Sequence, residues 1–171
     1  DIGPGNCLID EWIKQKSEKK FDEGGLIGRS GKIDKLILNQ AIENFRFISY
    51  EKSLDIKDFD ISFVKGLSLE DGCATLTNFT AYLIAEGIKF CNKKNEDNSN
   101  RYLVCGGGRK NIFLIENINL YLKGFNNIIL EPIDLYNYDG DYIESQAFGY
   151  LAIRSYLGLP ISFPSTTRCK N

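Results

Sequence analysis

Histidine is absent from the 171 residues, and so is methionine. Without histidine there is no Ser–His or Cys–His nucleophile pair, and most catalytic zinc sites are excluded. Acid–base work falls to Asp, Glu, Lys, Tyr or Cys. A genetically complete chain begins with Met unless it is processed, so its absence at position 1 leads us to expect a piece of something longer. Cysteine is sparse: five residues, at 7, 73, 91, 105 and 169, with no CxxC among them. An odd number at wide spacing argues against a disulfide framework and for a reduced, cytoplasmic chain. No apolar run approaches the ~18 residues of a membrane span. The acidic, Gly-rich start does not read as a signal peptide. Basic residues form no stripe and the net charge is -2, so neither nucleic acid nor membrane is expected as a partner.

What remains is an ordinary globular balance, 43% apolar and 26% charged, enough to bury a core in a single domain spanning residues 1–171. Leu8, Trp12 and Ile13 share one face of an expected helix over 7–20. FDEGGLIGRSG at 21–31 reads as a loop. A second helix is expected over 32–45, on Ile33, Leu36, Ile37 and Ala41, and residues 46–67 read as irregular. Ser68-Leu69-Glu70-Asp71 is a capping-box-like start for a long helix running to about Cys91, followed by a polar loop over 92–100. Arg101–Cys105 reads as a strand, the three glycines after it as a turn, 111–123 as a helix closed by Gly124, and 127–131 as a second strand. A loop over 134–141 and a helix over 142–157, closed by Gly158, complete a βαβα order. That order predicts a parallel local sheet.

Four stretches could carry chemistry. In CGGGRKN, residues 105–111, the glycines let backbone approach a ligand at the positive end of a helix; a plain strand-to-helix turn explains them equally well. In DIGPGN at the start, Asp1 beside Gly-rich backbone could serve as a base, although a turn and N-cap is the simpler explanation. In NYDGDYIESQAF, residues 137–148, Glu144 lies in the first turn of a helix, where the dipole stabilises a carboxylate. It is either a charged cap or a group aimed at a substrate hydroxyl. Thr75, Thr77 and Thr80 could line a cleft, but threonines on a helix more often bond their own backbone. The strand–Gly–helix unit lacks GxGxxG, which leaves a dinucleotide-binding oxidoreductase with little support.

The order and spacing of the stretches say more than any one of them. DxGPGNxLID, an SLxxxDF segment, DGxATLTxFT, CGGGxxN, DGDxIExQAFxxLAxR and GLPxSxPxTT together resemble the anhydro-N-acetylmuramic acid kinases, over nearly the whole chain but only over their carboxy-terminal half. The resemblance implies the carboxy-terminal half of an actin-like/ribonuclease H-like ATPase fold, an α/β mixed sheet with flanking helices, whose amino-terminal domain is missing. It implies ATP and Mg²⁺ as cofactors and an anhydro sugar as substrate, opened by water and phosphorylated on its 6-hydroxyl in peptidoglycan recycling. Asp1 matches the family's catalytic base. Gly3, Gly5 and Asn6 match positions near the transferred phosphate and the sugar. Gly106, Gly107, Gly108 and Asn111 match the nucleotide loop, and Glu144 an acid expected to face the sugar. No residue of the chain itself is assigned to a metal. A homodimer is a further expectation of the resemblance. Three departures stand out: no GTSxDG-type first phosphate loop, Ile56 where the family pattern has Arg, and Arg168 where it has Gly. They keep open an alternative, a truncated fragment that folds and at most binds nucleotide.

Overall fold

A computed structural model describes residues 2–45, 54–94, 100–125 and 128–164, apart from the side chains of Ile56, Lys93 and Lys94. Asp1, Asn127 and Arg168 therefore lie outside the described residues, as does the side chain of Ile56.

Six α-helices and two strands are described, joined by short 3₁₀ turns. α1 (Cys7–Lys16) buries Leu8, Ile9, Trp12 and Ile13 on one face, the i, i+1, i+4, i+5 spacing of an amphipathic helix. It ends four residues earlier than its pattern predicts. Ser17 turns extended, its hydroxyl donates to the Ile13 carbonyl at 2.8 Å, and it accepts from the Lys19 amide at 3.2 Å. Local bonding of this kind competes with the next helical turn.

The segment 21–31 is not the plain loop expected. It contains α2 (Leu26–Ser30), whose amides at Ile27 and Gly28 donate to the two carboxylate oxygens of Asp22 at 2.8 and 2.9 Å. Asp22 is buried, and it satisfies orphan donors that would otherwise face the core. α3 (Lys35–Phe45) follows, with Leu38, Ala41 and Ile42 inward.

α4 (Leu69–Lys94) is the axis of the molecule. Ser68 caps it as expected, its Oγ accepting from the Asp71 amide at 3.1 Å. Every residue from 72 to 81 is buried, because α1, α2, α3 and α5 all pack against it. A helix enclosed on all sides needs small residues where neighbours come close. At Gly72 a β-carbon would sit 2.5 Å from the Trp12 ring, and the same indole donates from Nε1 to the Leu69 carbonyl at 2.9 Å.

β1 (Arg101–Val104), α5 (Ile112–Leu122) and β2 (Ile129–Pro132) form the expected βαβ unit. The strands pair in parallel, Arg101 opposite Ile129 and Val104 opposite Pro132. Gly124 and Gly158 both adopt positive φ after their helices, as C-cap glycines do. α6 (Ile143–Tyr156) is the last element and buries no residue. Two apolar clusters result: one joins α1, α3 and the first half of α4, the other joins the second half of α4 to α5 and the strands.

Candidate functional site

The start of the chain lies along α4. A β-carbon on Gly87 would meet Ile2 at 2.6 Å, and one on Gly3 would touch Leu83 at 3.3 Å. Gly5 has φ +57, a left-handed conformation that glycine adopts without strain, and a β-carbon there would meet nothing within 4 Å among the described residues. Asn6 then enters α1. It makes no capping bond through its side chain, and among the described residues its buried Oδ1 has no hydrogen-bond partner. Its Nδ2 lies 3.9 Å from where a β-carbon on Gly108 would stand. Two stretches a hundred residues apart in the sequence thus meet, through Asn6 and the glycine loop.

The glycine loop leaves β1 at Gly106, which has φ +75, and continues as a 3₁₀ turn over Gly107–Lys110. Nothing lies within 4 Å of a β-carbon built on Gly106 or Gly107. Both positions are therefore open to a ligand, at the carboxyl ends of parallel strands where such folds bind them. Asn111, buried, caps α5 by accepting from the Leu114 amide at 3.0 Å. It also packs so tightly on Gly25 that any side chain there would collide with it. Asn111 therefore positions the helix behind the loop. Beneath the loop, Val104, Arg109, Ile112, Ile115, Leu130 and Pro132 line an apolar cavity of about 120 Å³. Drug-sized pockets run to ~300–1,000 Å³, so this one accepts a fragment of a ligand rather than all of it.

One residue at this site has no counterpart among the sequence candidates. Arg109, whose side chain is 8% exposed, ties the glycine loop to residues 134–141. Its Nε and Nη2 donate to the two oxygens of Asp134 at 2.7 and 2.9 Å. Its Nη1 donates to Asp141 at 2.5 Å and to the Gly106 carbonyl at 2.9 Å. The Gly106 amide donates to the Gly140 carbonyl at 2.8 Å, closing the stitch. Lys110 adds a second ion pair to Asp141. Gly140 is required here, since a β-carbon would run into the guanidinium of Arg109. The Arg109 hydrogen bonds hold the Asp134 carboxyl down at about 2. Arg109 first and then Lys110 lower that of Asp141. A bidentate guanidinium–carboxylate pair fixes direction as well as distance, so the loop is held by geometry and not by charge alone. The DGD turn serves this clamp, with Asp141 turned to Arg109 and Lys110 instead of capping α6. The clue in the sequence was an arginine directly after three glycines, with acids 25 and 32 positions on.

Glu144 is exposed in the first turn of α6, and α6 packs substantially on no other helix or strand. Glu144 follows by three residues Asp141, which is bonded to Arg109 of the glycine loop. The threonines are not cleft residues: Thr75, Thr77 and Thr80 are fully buried. Thr75 donates to the Asp71 carbonyl at 2.8 Å, the backbone bonding expected. Thr80 departs from that expectation, because among the described residues its buried hydroxyl has no hydrogen-bond partner. Behind them Cys73 donates from its thiol to Asp22 at 3.4 Å. Burial, and then the Asp22 charge, push that thiol far up from its ordinary value.

Comparison with known proteins adds a consistent set of relatives. The sequence model of the anhydro-N-acetylmuramic acid kinase family matches residues 1–171. A protein of that name from Pelagibacter ubique is 54% identical over 99% of this chain, which corresponds to 45% of the relative. Proteins of the same name from Zymomonas mobilis and Rhodospirillum rubrum are each 38% identical over 98% of the chain, matched to 44% and 43% of their own lengths. The chain therefore spans somewhat less than half the length of these relatives.

Proposed function

The chain belongs to the anhydro-N-acetylmuramic acid kinase family, and we propose that it is the carboxy-terminal half of such a kinase, in the actin-like ATPase fold. In this reading the complete protein opens 1,6-anhydro-N-acetylmuramic acid with water and phosphorylates the freed 6-hydroxyl from ATP. Water forms a bond to the anomeric carbon, the bond from that carbon to O6 breaks, and O6 takes the γ-phosphoryl group as ADP leaves. Asp1 accepts the proton of the attacking water. Asn6 and the glycines around it lie beside the transferred group, and Gly106–Gly108 present backbone to the nucleotide. Arg109 keeps the loop in register, and Asn111 holds the helix behind it.

The observation that carries this reading is the approach of Asn6 to Gly108 beside two glycines open to solvent. A β-carbon would fill that cradle, and backbone without one can lie against phosphate or base. The fit is to a nucleotide. Among the described residues no cluster of three or more acidic or cysteine side chains could hold a metal ion, and Asp134 and Asp141 are already paired with Arg109 and Lys110.

The second reading, a fragment that binds nucleotide and transfers nothing, draws on Ile56 where the family pattern has Arg and on Arg168 where it has Gly. Calorimetry with Mg-ATP, followed by a coupled ADP-release assay with the anhydro sugar, separates the two. Gly107→Val is the sharp probe. Gly107 lacks the positive φ of Gly106, and nothing lies within 4 Å of its β-carbon, so the variant folds and only the ligand is obstructed. Unchanged ATP affinity in that variant would remove the nucleotide role of the loop. Asp1→Asn in a turnover-competent form should abolish turnover and leave ATP affinity nearly unchanged. Loss of ATP binding in its place would count against Asp1 as the base.

A further inference from the structure

Two buried polar atoms beside the candidate site have no hydrogen-bond partner among the described residues: Oδ1 of Asn6 and Oγ1 of the fully buried Thr80. Buried polar groups are nearly always paired, with protein or with an ordered water. Thr75 satisfies its hydroxyl on its own helix, and Thr80 does not. The packing of the chain start on α4 places the two orphans together. Ile2 lies at Gly87, Gly3 at Leu83 and Trp12 at Gly72, so the two stretches run in opposite directions. Asn6, a third of the way from Gly3 to Trp12, falls opposite positions 79 and 80. Phe79 turns away, into the aromatic rings of Phe45 and Phe63. A second marker agrees. Asp10 lies one helical turn beyond Asn6, its amide bonded to the Asn6 carbonyl, so the two share a face of α1. Asp10 stands close enough to Cys73 for its charge to act on that thiol. Cys73, Thr77 and Thr80 follow one another along one side of α4, at i, i+4 and i+7. A step back from Asp10 to Asn6 is therefore a step along this stripe, away from Cys73 and towards Thr80.

We propose that Thr80 is the positioning residue for Asn6: through one buried water, its hydroxyl holds Oδ1 inward and so aims Nδ2 at the glycine loop. The water accepts the hydroxyl hydrogen of Thr80 and donates one of its own to Oδ1, which pairs both orphans. The two ends of a carboxamide have nearly the same shape and opposite hydrogen-bonding character. Without an anchor Asn6 would offer the loop a donor or an acceptor in turn. With Oδ1 held, it offers only N–H donors, on the side where Nδ2 approaches Gly108 and where Gly106 and Gly107 are open. A donor there matches a phosphate or hydroxyl oxygen and repels neither. The inference deepens the kinase reading and rests on it for the ligand that Nδ2 meets. The anchor itself rests on this chain alone.

The side-chain amide resonances of Asn6, assigned by their loss in Asn6→Asp, report the anchor in the 171-residue chain with no ligand added. They should show cross-relaxation with a long-lived water. Their exchange with solvent should be about tenfold or more slower than that of Asn39, which is exposed on α3. Thr80→Val keeps the shape and removes the hydroxyl. It should erase the water contact and bring Asn6 to within about twofold of Asn39, and Thr80→Ser should restore both. A role in packing alone would lower the melting temperature and leave the Asn6 amide as it was. In a turnover-competent form, Thr80→Val should lower kcat about tenfold with KM for ATP within about twofold, and Thr80→Ser should recover it. An unaltered chain whose Asn6 amide shows no bound water, or exchanges as fast as Asn39, would overturn the proposal without need of any variant. So would an Asn6 amide unchanged in Thr80→Val, or a lost anchor with kcat unchanged. A complete form that turns nothing over while the water contact persists sinks the kinase reading and leaves the anchor standing, so the two failures are seen separately.

Discussion

Among the described residues, seventeen of the buried hydrophobic side chains lie before residue 100 and three after it. The large apolar side chains left exposed divide the other way, three before and seventeen after. The first region is a finished core around α4. The second is a βαβ unit with half-exposed Leu103 and Ile129 on one sheet face, beside the Arg101–Glu131 ion pair, and a terminal helix that packs on almost nothing. The difference does not lie in how apolar the sequence is, since both regions are rich in Leu, Ile, Phe and Tyr. It lies in what each segment finds to pack against. The candidate site sits on the boundary, where Ile2–Asn6 of the first region meets the glycine loop of the second.

Trp12→Ala should give the largest stability effect. Trp12 is fully buried, lies against Gly72, and loses an indole hydrogen bond as well. A loss of about 3–5 kcal/mol is expected, read by urea denaturation. A loss below ~1 kcal/mol would mean that the first region is not the rigid half.

Asp22→Ala comes next. It strands the amides of Ile27 and Gly28 in a buried place and removes the partner of the Cys73 thiol. The cost should be about 1–3 kcal/mol. Cys73 supplies a separate check. Its thiol is buried and held protonated, so a thiol reagent at about pH 8 should modify Cys7, Cys91 and Cys105, which are exposed, well before Cys73. In Asp22→Ala the protection of Cys73 should weaken.

These two residues also show how much was legible beforehand. α1, α3, α4, α6 and the βαβ unit followed from apolar spacing, from Ser68 ahead of α4 and from Gly124 and Gly158 behind α5 and α6. All of those signals are local. α2 was not legible, because five residues set between glycines are too short to show a helical pattern of their own. It exists because Asp22 reaches its amides and because α4 and α5 enclose it. The same holds for Arg109, whose partners are 25 and 32 residues away. Asn6 and Gly108 were each recognisable as candidates from their motifs, but only the packing of Ile2 and Gly3 on α4 brings them together. The packing role of Asn111 against Gly25 was equally hidden. The proposed role of Asp1 as the base rests on the sequence resemblance alone.

Arg109→Leu should loosen the boundary without undoing either core. Gly106 would keep its bond to Gly140 but lose the guanidinium, leaving Asp134 without an ion pair and Asp141 with Lys110 alone. The pH dependence follows from the carboxyls. Both are depressed in the folded chain, Asp134 to about 2. Their contribution is present above the ordinary aspartate value of ~3.9. It is lost as pH falls through the folded values. In the unaltered chain, exchange of the glycine-loop amides should stay slow down to about pH 4, once intrinsic rates are corrected for pH, and should quicken from there towards about pH 2. In Arg109→Leu it should be fast throughout. An acid-insensitive loop in the unaltered chain would show that the clamp is not what holds it.

Leu103→Thr should have the smallest effect. Leu103 sits on the open face of the sheet, half exposed, and Thr is a good strand residue. If that face is bare, the change should alter stability by no more than ~0.5 kcal/mol and should reduce association at high concentration. Leu114 is the control. It is buried on α5, on the covered side of the same unit, and its change to Ala should cost about 2–5 kcal/mol. Both are leucines in one βαβ unit, so propensity and composition differ little between them. A loss at Leu103 approaching that at Leu114 would place something against the open face within this chain. The contrast between the two regions would then shrink to α6 alone.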